Sequence, residues 1–260
     1  MPVTVSQLAI APVKGMRLQR TSEIRLGQHG VTGDREFLVI EKDGTLLLTG
    51  RTPALLEIEP AWDRAREVLT LRFPDGNVVQ ATPEPGASAV TRMYDGREMP
   101  GWIIPGPLSA AMSGYLGQQV YLFKREPEHI GHDDQPVTLM SEASLQALAP
   151  EFSGTAPDPR RFRMTITVTG ADAWAEHGWG GQKVAIGEAI LRVIAPVPRC
   201  VVTTRNPDSG ATDARVLHAL ARLRGRNDIT FGVWCDIVRP GHIHIGDLVI
   251  GPEPLTDLTD

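Results

Sequence analysis

Apolar residues recur mostly at every second position, in short runs broken by turn-forming clusters, and this pattern predicts strands. Val3, Val5, Leu8 and Ile10 form the first, which breaks at Ala11-Pro12-Val13-Lys14-Gly15. Residues 36–41 form a second, and Lys42-Asp43-Gly44 turns it back into a partner at 45–49, a hairpin signature. The same grammar returns at 68–73, Pro74-Asp75-Gly76 and 77–80. The first ~100 residues therefore read as antiparallel β, a small barrel or folded sheet.

Helical spacing is rarer. Pro107 opens a helix carrying Leu108, Ala111, Met112 and Tyr115, and Gly117 stops it. A strand at 119–123 precedes a polar, irregular stretch, 126–135, which reads as a loop between two lobes. A strand at 137–140 runs into Ser141, placed to cap a helix with Leu145 and Leu148. Strands follow at 163–168 and 189–194, then a helix with Asp213 as its N-cap, Val216, Leu217, Leu220 and Leu223 on one face, and an end near Gly225. Strands at 231–238 and 242–245 close the pattern, and the tail from Gly251 reads as a loose end. The fold class is mainly β (α+β) with a few short helices. It is divided into 1–125 and 126–260, with strand 3–10 able to pack with either part.

Composition narrows the functions. The chain has 260 residues, 42% hydrophobic and 22% charged, as expected of a globular protein with a sizeable core. A formal charge of −5 argues against a general nucleic-acid surface, so any anion site is local. No apolar run reaches the ~20 residues of a membrane span, and Met-Pro-Val-Thr-Val-Ser lacks a charged start before an apolar core. The expectation is a cytoplasmic protein with no membrane partner. Two cysteines cannot supply a disulfide framework, a cysteine-rich zinc site or the ligands of an iron–sulfur cluster.

One thiol can still carry chemistry. Cys200 follows Arg199 at the end of an apolar run, before Asn206-Pro207-Asp208-Ser209-Gly210. An adjacent cation favours the thiolate, the form that attacks electrophiles and binds metals. Cys200 as a small buried hydrophobe is the alternative. Cys235 shares a strand face with Phe231, Val233 and Ile237 and reads as core. His129 and His132 with Asp133 and Asp134 could ligate a divalent metal, though a flexible polar loop is the plainer reading; His242 and His244 read as exposed strand residues.

Lys14-Gly15 after Ala-Pro-Val, Gly33-Asp34-Arg35, residues 139–145, Arg161-Phe162-Arg163 and Pro198-Arg199-Cys200 with Thr203-Thr204 and the 206–210 cluster fall in one order along the chain. In that order and spacing they resemble the MOSC family, in its form with an N-terminal MOSC β-barrel domain packed on a β-barrel MOSC domain, closest to its amidoxime-reducing members. The resemblance implies a molybdenum cofactor, a pterin dithiolene holding molybdenum, with Cys200 as catalytic metal ligand. It implies cofactor contacts at Lys14, Gly15, Arg35, Ser141, Arg163, Thr165, Arg199 and Trp234. Soft thiolate suits such a metal, and the four cations suit the cofactor's phosphate. Taken singly, Lys14, Arg35 and Arg163 could be solvated or ion-paired surface residues, and Ser141 a plain helix cap.

Met164-Thr165 stands where amidoxime-reducing members usually have Pro-Asn, Gly15 where they tend to have Ser, and Trp234 where Tyr is often found. These departures bear on the substrate pocket. The implied activity is two-electron removal of oxygen from an N-hydroxylated or other N–O small molecule. No C-x-x-C-H or G-x-G-x-x-G motif marks a second redox cofactor, so a separate electron-donor protein is expected. The alternatives are sulfur transfer or cofactor delivery through Cys200, less favoured because the chain has no room for the pyridoxal-phosphate domain of a cofactor sulfurase, and a non-catalytic binding protein with a degenerate site.

Overall fold

Alternating side chains produce seventeen strands in the computed structural model, which describes residues 2–253. The first six are β1 (Thr4–Ile10), β2 (Gln19–Thr21), β3 (Glu23–Leu26), β4 (Phe37–Glu41), β5 (Glu59–Asp63) and β6 (Val68–Arg72). Then come β7 (Val78–Ala81), β8 (Ser88–Arg92), β9 (Glu98–Ile104), helix α1 (Pro107–Leu116) and β10 (Val120–Arg125). β11 (Val137–Ser141), helix α2 (Glu142–Gln146), β12 (Ile166–Thr169), β13 (Lys183–Ile186) and β14 (Ala189–Pro198) follow. Helix α3 (Val216–Arg224), β15 (Thr230–Arg239), β16 (Gly241–His244) and β17 (Val249–Glu253) complete the described chain. The fold is mainly β with few, short helices, as the periodicity predicts.

Two sheets dominate. β4, β10, β9 and β8 make a four-stranded sheet, accompanied by the β5-β6-β7 meander, around Phe37, Val39, Leu55, Leu69 and Leu122. The larger sheet runs β17-β13-β14-β15-β11-β12-β1-β2 over a core that includes Val5, Leu8, Val137, Val233 and Cys235. β1, with β2 on its outer edge, therefore joins a sheet whose other six strands come from the second half of the chain, antiparallel to β12 with Leu8 opposite Ile166. No described helix is long and apolar enough to cross a membrane.

The β-rich fold class holds, and only the closed barrel is corrected: the larger sheet is an order of eight strands running from β17 to β2. β1 spends one edge on β12 and, from Leu8 to Ile10, the other on β2. Its first residues meet the stretch leading into β17 through a bridge from Thr4 to Leu248 and through Val5 N–H to Asp247 O at 2.9 Å, Gly246 N–H to Val5 O at 2.8 Å and Val249 N–H to Val3 O at 2.9 Å. The tail also differs, since 251–253 belong to β17, while 254–260 lie outside the described residues. Residues 45–49 form no strand. Leu47 N–H bonds Val39 O at 2.8 Å, but the chain then leaves the ladder for a turn at 49–51. Asp213 is not the cap of α3; it pairs with Arg161 at 2.8 Å.

Candidate functional site

The backbone sets Lys14 and Arg35 side by side. After β1 the chain passes along residues 35–37, with Arg35 N–H to Ala11 O at 2.7 Å, Phe37 N–H to Pro12 O at 3.0 Å and Lys14 N–H to Phe37 O at 2.8 Å. Gly15 lies in the left-handed region (φ +88), and a Cβ there would stand 2.6 Å from Thr49 Oγ1. That hydroxyl fills the space a serine at this position would need.

Asp34 organises the group. Its Oδ1 accepts from Ala11 N–H at 2.6 Å, and its Oδ2 from Arg35 NH1 at 2.5 Å. His132 Nε2 lies 2.5 Å from the same Oδ2, which places its proton on Nε2. Lys14 Nζ donates to Gly131 O at 3.1 Å and to Asp133 Oδ1 at 2.5 Å. The stretch expected as a flexible polar loop is thus folded down onto the site. Arg125 ties it from below, donating to Arg35 O at 2.9 Å and His129 O at 2.5 Å, and Arg97 holds His132 O at 2.8 Å. Gly131 permits the approach, since a Cβ there would sit 2.4 Å from Arg35 O. His132 is 8% exposed and bound to Asp34, so it belongs to this network rather than to a surface metal pair.

Arg163 completes the cluster. It is not in a strand: it ends the 3₁₀ turn Pro159–Phe162 with φ 54, and β12 begins three residues later. Arg35 also has a positive φ, 45, and its NH2 donates to Arg163 O at 3.4 Å. Two arginines in a backbone region that costs free energy for a non-glycine residue are a mark of functional sites. Arg163 NH2 is buried without a hydrogen-bond partner. Burial first, then Arg35, pushes its pKa down to about 10, against the pull of Asp34 and Asp133. Burial likewise lowers Lys14, with Asp133 opposing and Arg35 and Arg163 adding to the effect. Burial alone would raise Asp34, but Arg35, His132 and the Ala11 N–H hold it well below the usual carboxylate range. His132 is pushed down to about 4 by burial and then Arg35, so it is neutral at pH 7. Three cations face two carboxylates, and the surplus buried positive charge suits an anion.

Cys200 is exposed and starts the 3₁₀ turn Val201–Thr204, its carbonyl accepting from Thr203 N–H at 3.2 Å and Thr203 Oγ1 at 2.9 Å. The buried-hydrophobe reading fails for Cys200 and holds for Cys235, which is fully buried. Arg199 does not join the cationic cluster. Its Nε donates to Phe231 O at 2.9 Å, NH1 to Phe162 O at 3.0 Å and NH2 to Met164 Sδ at 2.8 Å, with the guanidinium over the Phe162 ring. Burial lowers its pKa to about 9, with Cys200 opposing. By gripping both neighbours of Arg163, Arg199 fixes that residue relative to Cys200. The turn at 49–51 bridges the other flank, with Thr49 against Gly15 and Gly50 against Val201.

Three expected residues stand apart. Ser141 caps α2 by accepting from Ser144 N–H at 3.0 Å, shares a hydroxyl contact with Ser144 at 2.8 Å, and its own N–H bonds buried Glu176 at 3.2 Å. The Thr165 hydroxyl meets Thr138 Oγ1 at 3.2 Å inside the sheet. Trp234 is half-buried on β15 opposite Thr138. The structure brings Lys14, Gly15, Arg35 and Arg163 together, ties Cys200 to them through Arg199, and leaves Ser141, Thr165 and Trp234 in the sheet around Thr138.

Two connected clefts border the site. One, of about 290 Å³, is lined by Arg17, Arg20, Arg160, Arg163 and Pro207 among others; a larger one, of about 600 Å³, shares Leu18, Arg20 and Arg160 with it. Asp208 joins two of the lining arginines: Arg160 NH1 and NH2 each bond its carboxylate at 2.7 Å, and Arg17 NH2 bonds its carbonyl at 2.7 Å. Sequence reasoning used Arg35 but not Asp34 beside it, missed Arg17 and Arg160, and read His132 and Asp133 as metal-ligand candidates or plain loop residues rather than as partners of Asp34 and Lys14. Asp34 and Asp208 stood inside motifs that were already noted.

Residues 126–250 match the family model described as the MOSC domain, and residues 2–97 match the MOSC N-terminal beta barrel domain. The chain is 26% identical to mitochondrial amidoxime-reducing component 1 of Homo sapiens, over 95% of this chain and 82% of that protein. It is 23% identical to a molybdenum cofactor sulfurase of Danio rerio, over 89% of this chain and 31% of that protein. Among solved structures, the YUAD protein from Bacillus subtilis superposes with a TM-score of 0.50 at 14% identity, covering 96% of this chain and 94% of that one, which shows a shared fold.

Proposed function

Since the chain belongs to the MOSC family, with both parts of the two-domain form matched, we propose that it is a molybdenum-cofactor-dependent oxidoreductase that removes oxygen from N-hydroxylated or other N–O substrates. The two domains divide near residue 126. The observation that carries this reading is the unpartnered, buried NH2 of Arg163 among Lys14 and Arg35. A buried cationic N–H group without an acceptor, in a cluster whose cations outnumber its carboxylates, is costly unless a ligand supplies the acceptor, and the phosphate of a pterin cofactor does. The likeness to amidoxime-reducing proteins supports the choice of N–O substrates.

Lys14, Arg35 and Arg163 would hold the cofactor's anionic end, Gly15 would let the backbone approach it, and the exposed Cys200 would ligate molybdenum as thiolate. When bound, the cofactor supplies two-electron oxygen-atom chemistry. This chain's residues do the rest: Asp34 and His132 fix the Arg35 guanidinium, Asp133 orients the Lys14 ammonium, and Arg199 braces the backbone on both sides of Arg163. Electrons come from a separate donor protein.

The test is molybdenum and pterin content per chain after expression in a host that makes the cofactor, for the wild type and Cys200→Ser. Wild-type protein is expected to carry both, and the variant to lose molybdenum. Equal molybdenum in the two rejects Cys200 as ligand. The sulfurase likeness favours a second reading, cofactor delivery or sulfur transfer through Cys200; wild-type protein that retains pterin without metal would support it.

A further inference from the structure

The larger cleft lies beside the site just described and has no role in it. Its volume, about 600 Å³, suits a small organic molecule, and its walls include Leu8, Leu18, Met140 and Met164. Met164 also accepts the hydrogen bond from Arg199, the residue before Cys200, so one wall of the cleft touches the brace of the reactive thiol.

The charges on the walls are not balanced. Arg160 is saturated, bound to Asp158 through Nε at 3.0 Å and to Asp208 through both terminal nitrogens. Asp158 is spent on the same guanidinium. Arg20, exposed on the edge strand β2, makes no ion pair or side-chain hydrogen bond among the described residues. Gln7 and Thr167 add uncharged polar groups to the apolar ones, and the one uncompensated charge on the walls is thus positive. We propose that this cleft binds the substrate's body, and that the substrate is a small organic molecule carrying a carboxylate recognised by Arg20. The name substrate rests on the oxygen-removing function proposed above; the binding site does not depend on it.

The test separates the two. Titration calorimetry on the full chain compares 2-naphthoate with its neutral isostere 2-naphthamide. Wild-type protein is expected to bind naphthoate about fivefold tighter, the scale of a solvent-accessible ion pair, with the preference shrinking as salt rises. Arg20→Gln should bring the two probes to parity while naphthamide stays within about twofold of its wild-type affinity, since Arg20 lies on an exposed edge. Ala156→Trp, which fills the cleft from its rim, should weaken both probes alike. Parity in the wild type, a preference that survives Arg20→Gln, or one abolished by Arg163→Gln in place of Arg20→Gln would each overturn the proposal. The loaded enzyme, with reduced methyl viologen supplying the two electrons and solvent the protons, is then offered aryl N-hydroxyamidines with and without a carboxylate. Naphthoate binding as described with no oxygen removal from either keeps the site and rejects the function.

Discussion

Arg163 concentrates three costs in one residue: a left-handed backbone, a buried guanidinium and a nitrogen with no partner. Such costs persist where a ligand later offsets them. Arg163→Asn keeps a residue that tolerates positive φ and removes the charge. The cofactor-free protein is therefore expected to melt about 2–4 °C higher, while pterin per chain falls severalfold; calorimetry and pterin assay read the two effects. A lower melting point would make Arg163 a structural stay. Lys14, Arg35, Arg163 and Cys200 were legible from motif order, whereas Asp34, His132 and Asp133 were not. A polar stretch such as 126–135 looks solvated in sequence, and only the close approach of Gly131 to Arg35 O turns its histidine inward.

At the scale of elements, alternation located most strands and Gly117 ended α1 as expected, with φ 66. The failures share a cause. Residues 45–49 and the start of the 163–168 run have strand-like patterns, but each segment breaks its ladder to place a turn at the site. Local pattern does not record that competing demand. The short helix α2 offers a clean measurement: Ser141→Ala removes its cap and leaves the Ser144 N–H without its acceptor, while Glu176 keeps the backbone N–H of residue 141 and the Ser144 hydroxyl. Urea unfolding should show a loss of about 1–2 kcal/mol. Pterin content should hold, because the hydroxyl is already committed to Ser144. Loss of pterin without destabilisation would return Ser141 to the cofactor.

The whole molecule should carry an acid signature in a defined window. His132 is held down at about 4, by burial first, against about 6.5 in an unfolded chain. Between those values the unfolded chain binds a proton the native one refuses, so stability falls as pH drops from about 6.5 to about 4, by on the order of 2–3 kcal/mol. His177, also lowered to about 4 by burial and then Arg224, adds to the same trend. Asp34, lowered rather than raised, contributes its loss only below about 4. Melting temperatures at several pH values should thus decline through this window in the wild type and decline less in His132→Gln; parallel curves would refute the assignment. The position of β1 has a consequence in time. On a ribosome adding ~5–20 residues per second, β12 emerges roughly 10–30 s after the strand it must pair with. Until then Val5 and Leu8 have no core to enter. Nascent chains stalled before Ile166 should therefore be captured by chaperones or precipitate, and release should follow completion of the sheet that β1 was made to join.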